Sequence, residues 1–135
     1  MNTKFFLAAL AATVVLFIAG WLVYGMVLMS YISAHSTMKM DTAMWGIILG
    51  SLASGFLYAY VCLISGSRSF MKGLKVGIFV ALFVALGTDF FMWASESFDS
   101  YMPVLADVVG AVILGGVGSG TAGLVLGMGQ AKPAA

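Results

Sequence analysis

Apolar residues fall into four long blocks along this chain, Phe5–Ser30, Ala43–Ser65, Phe70–Ala94 and Met102–Met128, and most polar side chains collect in the short stretches between them. Inside each block the apolar run is continuous. Membrane-crossing helices are therefore predicted rather than barrel strands, which would be shorter and would alternate polar with apolar. A hydrocarbon core about 30 Å thick takes roughly 20 helical residues, and every block reaches that length with a few to spare for tilt. The connections are an outer loop near Tyr31–Thr42, a tight Ser-Gly-Ser-Arg turn at Ser65–Arg68 and a short acidic link at Ser95–Tyr101. The expected fold is all-α, one four-helix membrane bundle covering residues 1–135. The first block, with Lys4 before it and Ala8, Ala9, Ala11 and Ala12 within it, shares features with a secretion signal. It is too long for the usual apolar core of about 7–15 residues and reads as the first span.

Composition agrees, since 62% of the 135 residues are hydrophobic and 8% charged, with a mean hydropathy of +1.10. Lipid is the expected solvent. The net charge of +1 and the scatter of the six Lys/Arg leave no basic face for nucleic acid. Cys62 is the only cysteine, which excludes an internal disulfide and a multi-cysteine metal site. A bundle this short has little room for an internal cavity unless other chains complete it, so self-association or other membrane subunits are expected as partners alongside the bilayer.

Charge also predicts direction. Lys4, Arg68, Lys72, Lys75 and Lys132 fall on one side, whereas Lys39 with Asp41, Glu96 and Asp99 falls on the other. The positive-inside rule then puts both termini in the cytoplasm. Trp45, Trp93 and Tyr101 lie near the outer ends of their spans, where amphipathic rings anchor a helix at the interface.

Three spans carry small residues at every fourth position: Gly46, Gly50 and Ser54 in the second; Gly73, Gly77, Ala81 and Ala85 in the third; Ala111, Gly115, Ser119, Gly123 and Gly127 in the fourth. Such rows let backbones approach closely, which drives association in lipid. A straight helix over-rotates by about 40° at each step of four, so only part of each row is expected to face any one neighbour. Gly118-Ser-Gly120-Thr-Ala-Gly123 matches the dinucleotide-binding pattern G-x-G-x-x-G. Its place inside a span, with no strand before it, excludes that reading.

One further step along the third row reaches Asp89, and one step back along the fourth reaches Asp107. Both acids lie on packing faces, each about 8 Å inside the outer end of its span. Tyr24 lies at a similar depth in line with Gly20, placed to donate a hydrogen bond to either carboxylate, and Ser51 or Thr88 are further candidates. An acid embedded in a membrane helix is costly and reads as functional by default. Two carboxyls that touch in a poor dielectric share a proton or recruit a cation. The plainer reading is structural, above all for Asp107, which follows Pro103 and a capping Asp99 or Ser100 at a helix start where the dipole supports an anion.

The outer end is also rich in sulfur, and His35 with Met38 and Met40 forms a weak candidate set for Cu(I). Methionine filling irregular apolar gaps is the simpler account. No nucleophile–base pair, zinc motif or phosphate loop is present, so neither an enzyme nor a resident cofactor is expected.

Gly20-Trp-Leu-Val-Tyr-Gly25, Gly73-Leu-Lys-Val-Gly77 leading to Gly87-Thr-Asp-Phe-Phe-Met-Trp93, and Gly127-Met-Gly129 together resemble a group of small uncharacterised bacterial four-span membrane proteins. That resemblance implies the fold and a bacterial inner membrane, and it transfers no site. Three functions follow as expectations. The first is an accessory or structural subunit packed through its glycine faces. The second is a small proton- or cation-coupled transporter or channel using Asp89 and Asp107. The third is a binder of lipid, pigment or quinone at the aromatic outer end.

Overall fold

A computed structural model of the chain describes residues 2–35, 44–95 and 100–130. Four of its helices are long and apolar enough to cross a membrane: Thr3–Tyr31, Met44–Ile64, Phe70–Ser95 and Met102–Gly127, the first to fourth spans. The last three agree with the sequence-predicted blocks to within one residue at each end. The first departs from expectation. It continues through α1 (Thr3–Gly20), a π-helical stretch (Trp21–Leu28) and α2 (Met29–His35), so 31–35 are helical rather than loop. No Gly or Pro occurs between Met29 and His35 to end the helix. Lys39, Asp41, Glu96, Asp99 and Lys132 lie outside the described residues.

The third and fourth spans pack antiparallel along nearly their whole length, and the two small-residue rows form the seam. A methyl group added at Gly123 would press on Gly73, one at Gly77 on Ser119 and the Gly115 carbonyl, and one at Gly115 on the Ala81 side chain. Each step of four up one helix is answered by a step of four back down the other. Gly73, Gly77, Ala81, Ala85 and Asp89 are all buried, Gly73, Gly77 and Ala81 against the fourth span, while Ala81, Ala85 and Asp89 also border an internal cavity. Burying apolar side chains against one another gains little in lipid, and the seam gains close backbone contact instead.

Small residues also cover the other sides of the fourth span. Leu16 of the first span sits over Gly118, and Phe70 and Ile78 of the third sit over Gly120 and Gly116. Half of the fourth span's apolar stretch is buried inside the protein, against 22% in each of the other three. It is the hub. The motif-like glycines of Gly118–Gly123 thus serve helix contact, consistent with rejecting a nucleotide loop. The first span packs on both the second and the fourth, chiefly through a core of Phe5, Ala8, Ala9, Ala12, Ala59, Cys62, Ala122 and Leu126.

The bundle is closed at the end that carries Lys4, Arg68, Lys72 and Lys75, hereafter the basic end. There the second span stops in a glycine-terminated motif. Gly66, at φ +67°, donates its N–H to the Leu63 carbonyl (3.3 Å), and the Ser67 N–H reaches back to Cys62 (2.9 Å). This pair of bonds satisfies carbonyls that a helix end leaves open, and the conformation at its pivot suits glycine. Buried Cys62 contacts the Ser119 hydroxyl (3.1 Å), tying the second span to the fourth just inside the turn. Asn2 caps the first helix by accepting from the Phe5 N–H (3.3 Å), and Lys4 Nζ donates to the Met128 carbonyl (3.0 Å), where a cation also suits the helix dipole.

Candidate functional site

One side of the four-helix square is open. The first span packs on the second, the third on the fourth and the fourth on the first, but the second and third touch sparsely, and the first and third share only the small cluster of Leu16, Tyr58 and Ala81 without close backbone approach among the described residues. Toward the end away from the basic turn, the spans enclose a cleft of about 830 Å³ lined from all four helices. That volume lies in the range of small-molecule sites, and it exists within one chain, although little internal room was expected of a bundle this short. Leu16, Phe17 and Leu114 give it apolar walls, while Tyr24, Tyr58, Ser51 and Ser54 add hydroxyls.

Asp89 and Asp107 meet at the edge of this cleft, where the small-residue seam ends. Their carboxyl groups lie within hydrogen-bonding reach of each other. Asp89 is 7% exposed. Thr88 Oγ1 lies 3.4 Å from its Oδ1, with the Val84 and Ala85 carbonyls as nearer alternative acceptors for the same hydroxyl hydrogen (3.0 and 3.2 Å). The second oxygen, Oδ2, is buried without a hydrogen-bond partner among the described residues. A buried polar atom left unpaired is expensive, and here it belongs to a side chain that lines a cavity.

The structure brings Tyr24 to the same place. Its hydroxyl donates to the Asp107 carbonyl oxygen (3.3 Å) and lies against the Asp107 side chain. Its carrier is the π-helical stretch, a geometry that widens the helix and recurs near functional sites. Gly110 makes room for it, since a methyl group there would lie 3.2 Å from the Tyr24 hydroxyl. At the start of the fourth span Pro103 occupies the first turn, and the Met102 N–H donates to Ser100 Oγ (3.3 Å). Asp107 stands one turn further in and turns toward Asp89.

Charge leaves this site unbalanced from within. The described cations Lys4, Arg68, Lys72 and Lys75 belong to the basic end, and Lys75, the nearest to Asp89 along the third span, is about 21 Å away by helical rise. The described residues hold no group of His, Cys, Asp and Glu that suits a metal ion. Met38 and Met40 lie outside the described residues, as does the His35 side chain, and so does the copper reading built on them.

The second span departs from its expected role. Nothing approaches Gly50 within 4 Å, and Gly50 and Ser54 line the cleft instead of meeting another helix. The close contact is made a quarter-turn away by Gly55, where a methyl group would meet the Ala9 carbonyl at 2.7 Å and the Thr13 N–H at 2.8 Å. Gly55, Ala59 and Cys62, small and three or four residues apart, were a readable signal for this face. Tyr58 was missed as a cleft residue. Its signal was a phenol in mid-span on that same buried face, with its hydroxyl close over Gly115.

Compared with protein-family models, curated proteins and solved structures, the chain matches none.

Proposed function

We propose that the protein is a small membrane carrier or channel for a cation or proton, and that the Asp89–Asp107 pair in the open-sided cleft is its binding site. The observation that carries this reading is the unpaired, buried oxygen of Asp89 at the wall of a cavity. A purely structural acid would gain by satisfying both oxygens, whereas an ion site needs a free ligand atom facing its path. Both termini and the Arg68 turn are proposed to be cytoplasmic, on the grouping of Lys4, Arg68, Lys72 and Lys75 at one end. A bacterial inner membrane is proposed on the resemblance to small four-span proteins, and a non-enzymatic role on the lack of a nucleophile–base pair. Reconstituted liposomes test the function: a pH- or cation-gradient-driven flux is expected for the native chain and its loss for Asp89→Asn. A variant that carries the same flux as the native protein would remove the proposal.

A second reading, an accessory subunit or self-associating protein, is favoured by the open small-residue edge at Gly50, where a partner helix would find no side chain in its way. Gentle solubilisation of native membranes tests it, with co-migration at fixed stoichiometry expected and a lone monomer counting against it.

A further inference from the structure

We infer that the cleft binds a hydrophobic organic cation, an amine or quaternary onium compound, with its charged centre against the Asp89–Asp107 pair and its apolar body between the second and third spans. This rests on the carrier reading and adds a ligand class to it. Three features select that class. Two carboxyl groups line the cleft, and every described cation belongs to the other end of the bundle, so a cation complements the site while an anionic lipid headgroup does not. The space of about 830 Å³ exceeds what a bare or hydrated ion fills, and its walls are mainly apolar. Trp21 and Tyr24 line the same space, and aromatic faces attract onium groups.

The entrance follows from the packing. The open side between the second and third spans faces lipid, so a membrane-dissolved ligand enters laterally without crossing the closed basic end. An inorganic ion would need an aqueous path, which the interlocked Cys62, Ser119 and Gly73 layer blocks toward the basic end. The titratable groups around Asp89 are Asp107 from the fourth span, Tyr24 from the first and Tyr58 from the second. A bound cation and a proton would compete for the same carboxyl oxygens, so binding is expected to weaken on acidification.

The test compares tetraphenylphosphonium with tetraphenylborate, two ions of the same shape and opposite charge, on purified protein in lipid nanodiscs by equilibrium dialysis, with gradient-driven proton flux measured in parallel. Saturable binding of the phosphonium alone is expected, weakened about thirtyfold or more in Asp89→Asn, the loss typical when one member of a desolvated charge pair is removed. Gly50→Phe provides a variant that leaves the acids intact. Its ring fills the cleft from a position with nothing within 4 Å, so phosphonium binding is expected to fall while helicity and monodispersity stay native. Equal uptake of both ions, or phosphonium binding indifferent to both substitutions, would overturn the inference as non-specific partition. Absence of phosphonium binding with an Asp89-dependent proton flux would overturn the ligand class and leave the carrier reading standing. Absence of both would remove the two together.

Discussion

Glycines that look alike in this sequence do opposite things, and their surroundings decide which. At Gly77 a side chain would run into the Gly115 carbonyl and Ser119, neither of which is a flexible chain end. Gly77→Val is therefore expected to lose about 1–3 kcal/mol, the usual cost of overpacking. At Gly50 there is open space, so Gly50→Ala is expected to gain about 0.5–1 kcal/mol by removing backbone freedom from the unfolded helix. Reversible unfolding in mixed detergents, followed by helical circular dichroism, measures both. Equal effects at the two sites would contradict the packing described here. The acids differ in a similar way: Asp107 has Tyr24 against it, while Asp89 keeps one oxygen unpaired.

Among the elements, the turn between the second and third spans depends on one left-handed residue. Gly66→Ala is expected to cost about 1 kcal/mol, because φ +67° crowds a Cβ against the backbone. The same unfolding assay reads it, and an unchanged midpoint would mean that the helix end can be rebuilt without its glycine. Much of this level was legible beforehand. Span limits follow from where the apolar runs stop, and the third–fourth register follows from two rows of small residues that each end in an aspartate. The second span misled for a physical reason. Its row Gly46, Gly50 and Ser54 has the same spacing, but spacing does not say whether a neighbour is present, and here Gly50 and Ser54 border the cleft. The π-helical stretch was also beyond reach, since Trp21–Leu28 contains no residue pattern that distinguishes five-residue hydrogen bonding from four. Its effect, carrying Tyr24 to Asp107, is visible only in three dimensions.

For the molecule as a whole, direction across the bilayer matters most to function, because it fixes which compartment the cleft approaches. Lys72 is exposed near the basic end, so a membrane-impermeant thiol reagent should label Lys72→Cys, in a Cys62→Ser background, only after the cytoplasmic face is opened. Prompt labelling of intact cells would reverse the orientation, and the cleft would then open near the cytoplasm. The meeting of the two carboxyls was partly legible: two acids at one depth on packing rows marked a polar cluster, though not whether they touch. The cleft itself was not, because it arises from a missing contact between the second and third spans, and absent contacts leave no mark in a pattern of residues.

The fourth span's position as hub bears on how the protein is made. During synthesis the first two helices can pair as soon as both have left the ribosome, but the third makes no close backbone approach to the first and little to the second among the described residues. Until Met102–Gly127 follows it into the bilayer, its glycine row and Asp89 face lipid or the insertion machinery. Assembly therefore waits on the fourth helix, and the interval before its arrival is when the nascent chain is most open to quality-control proteases.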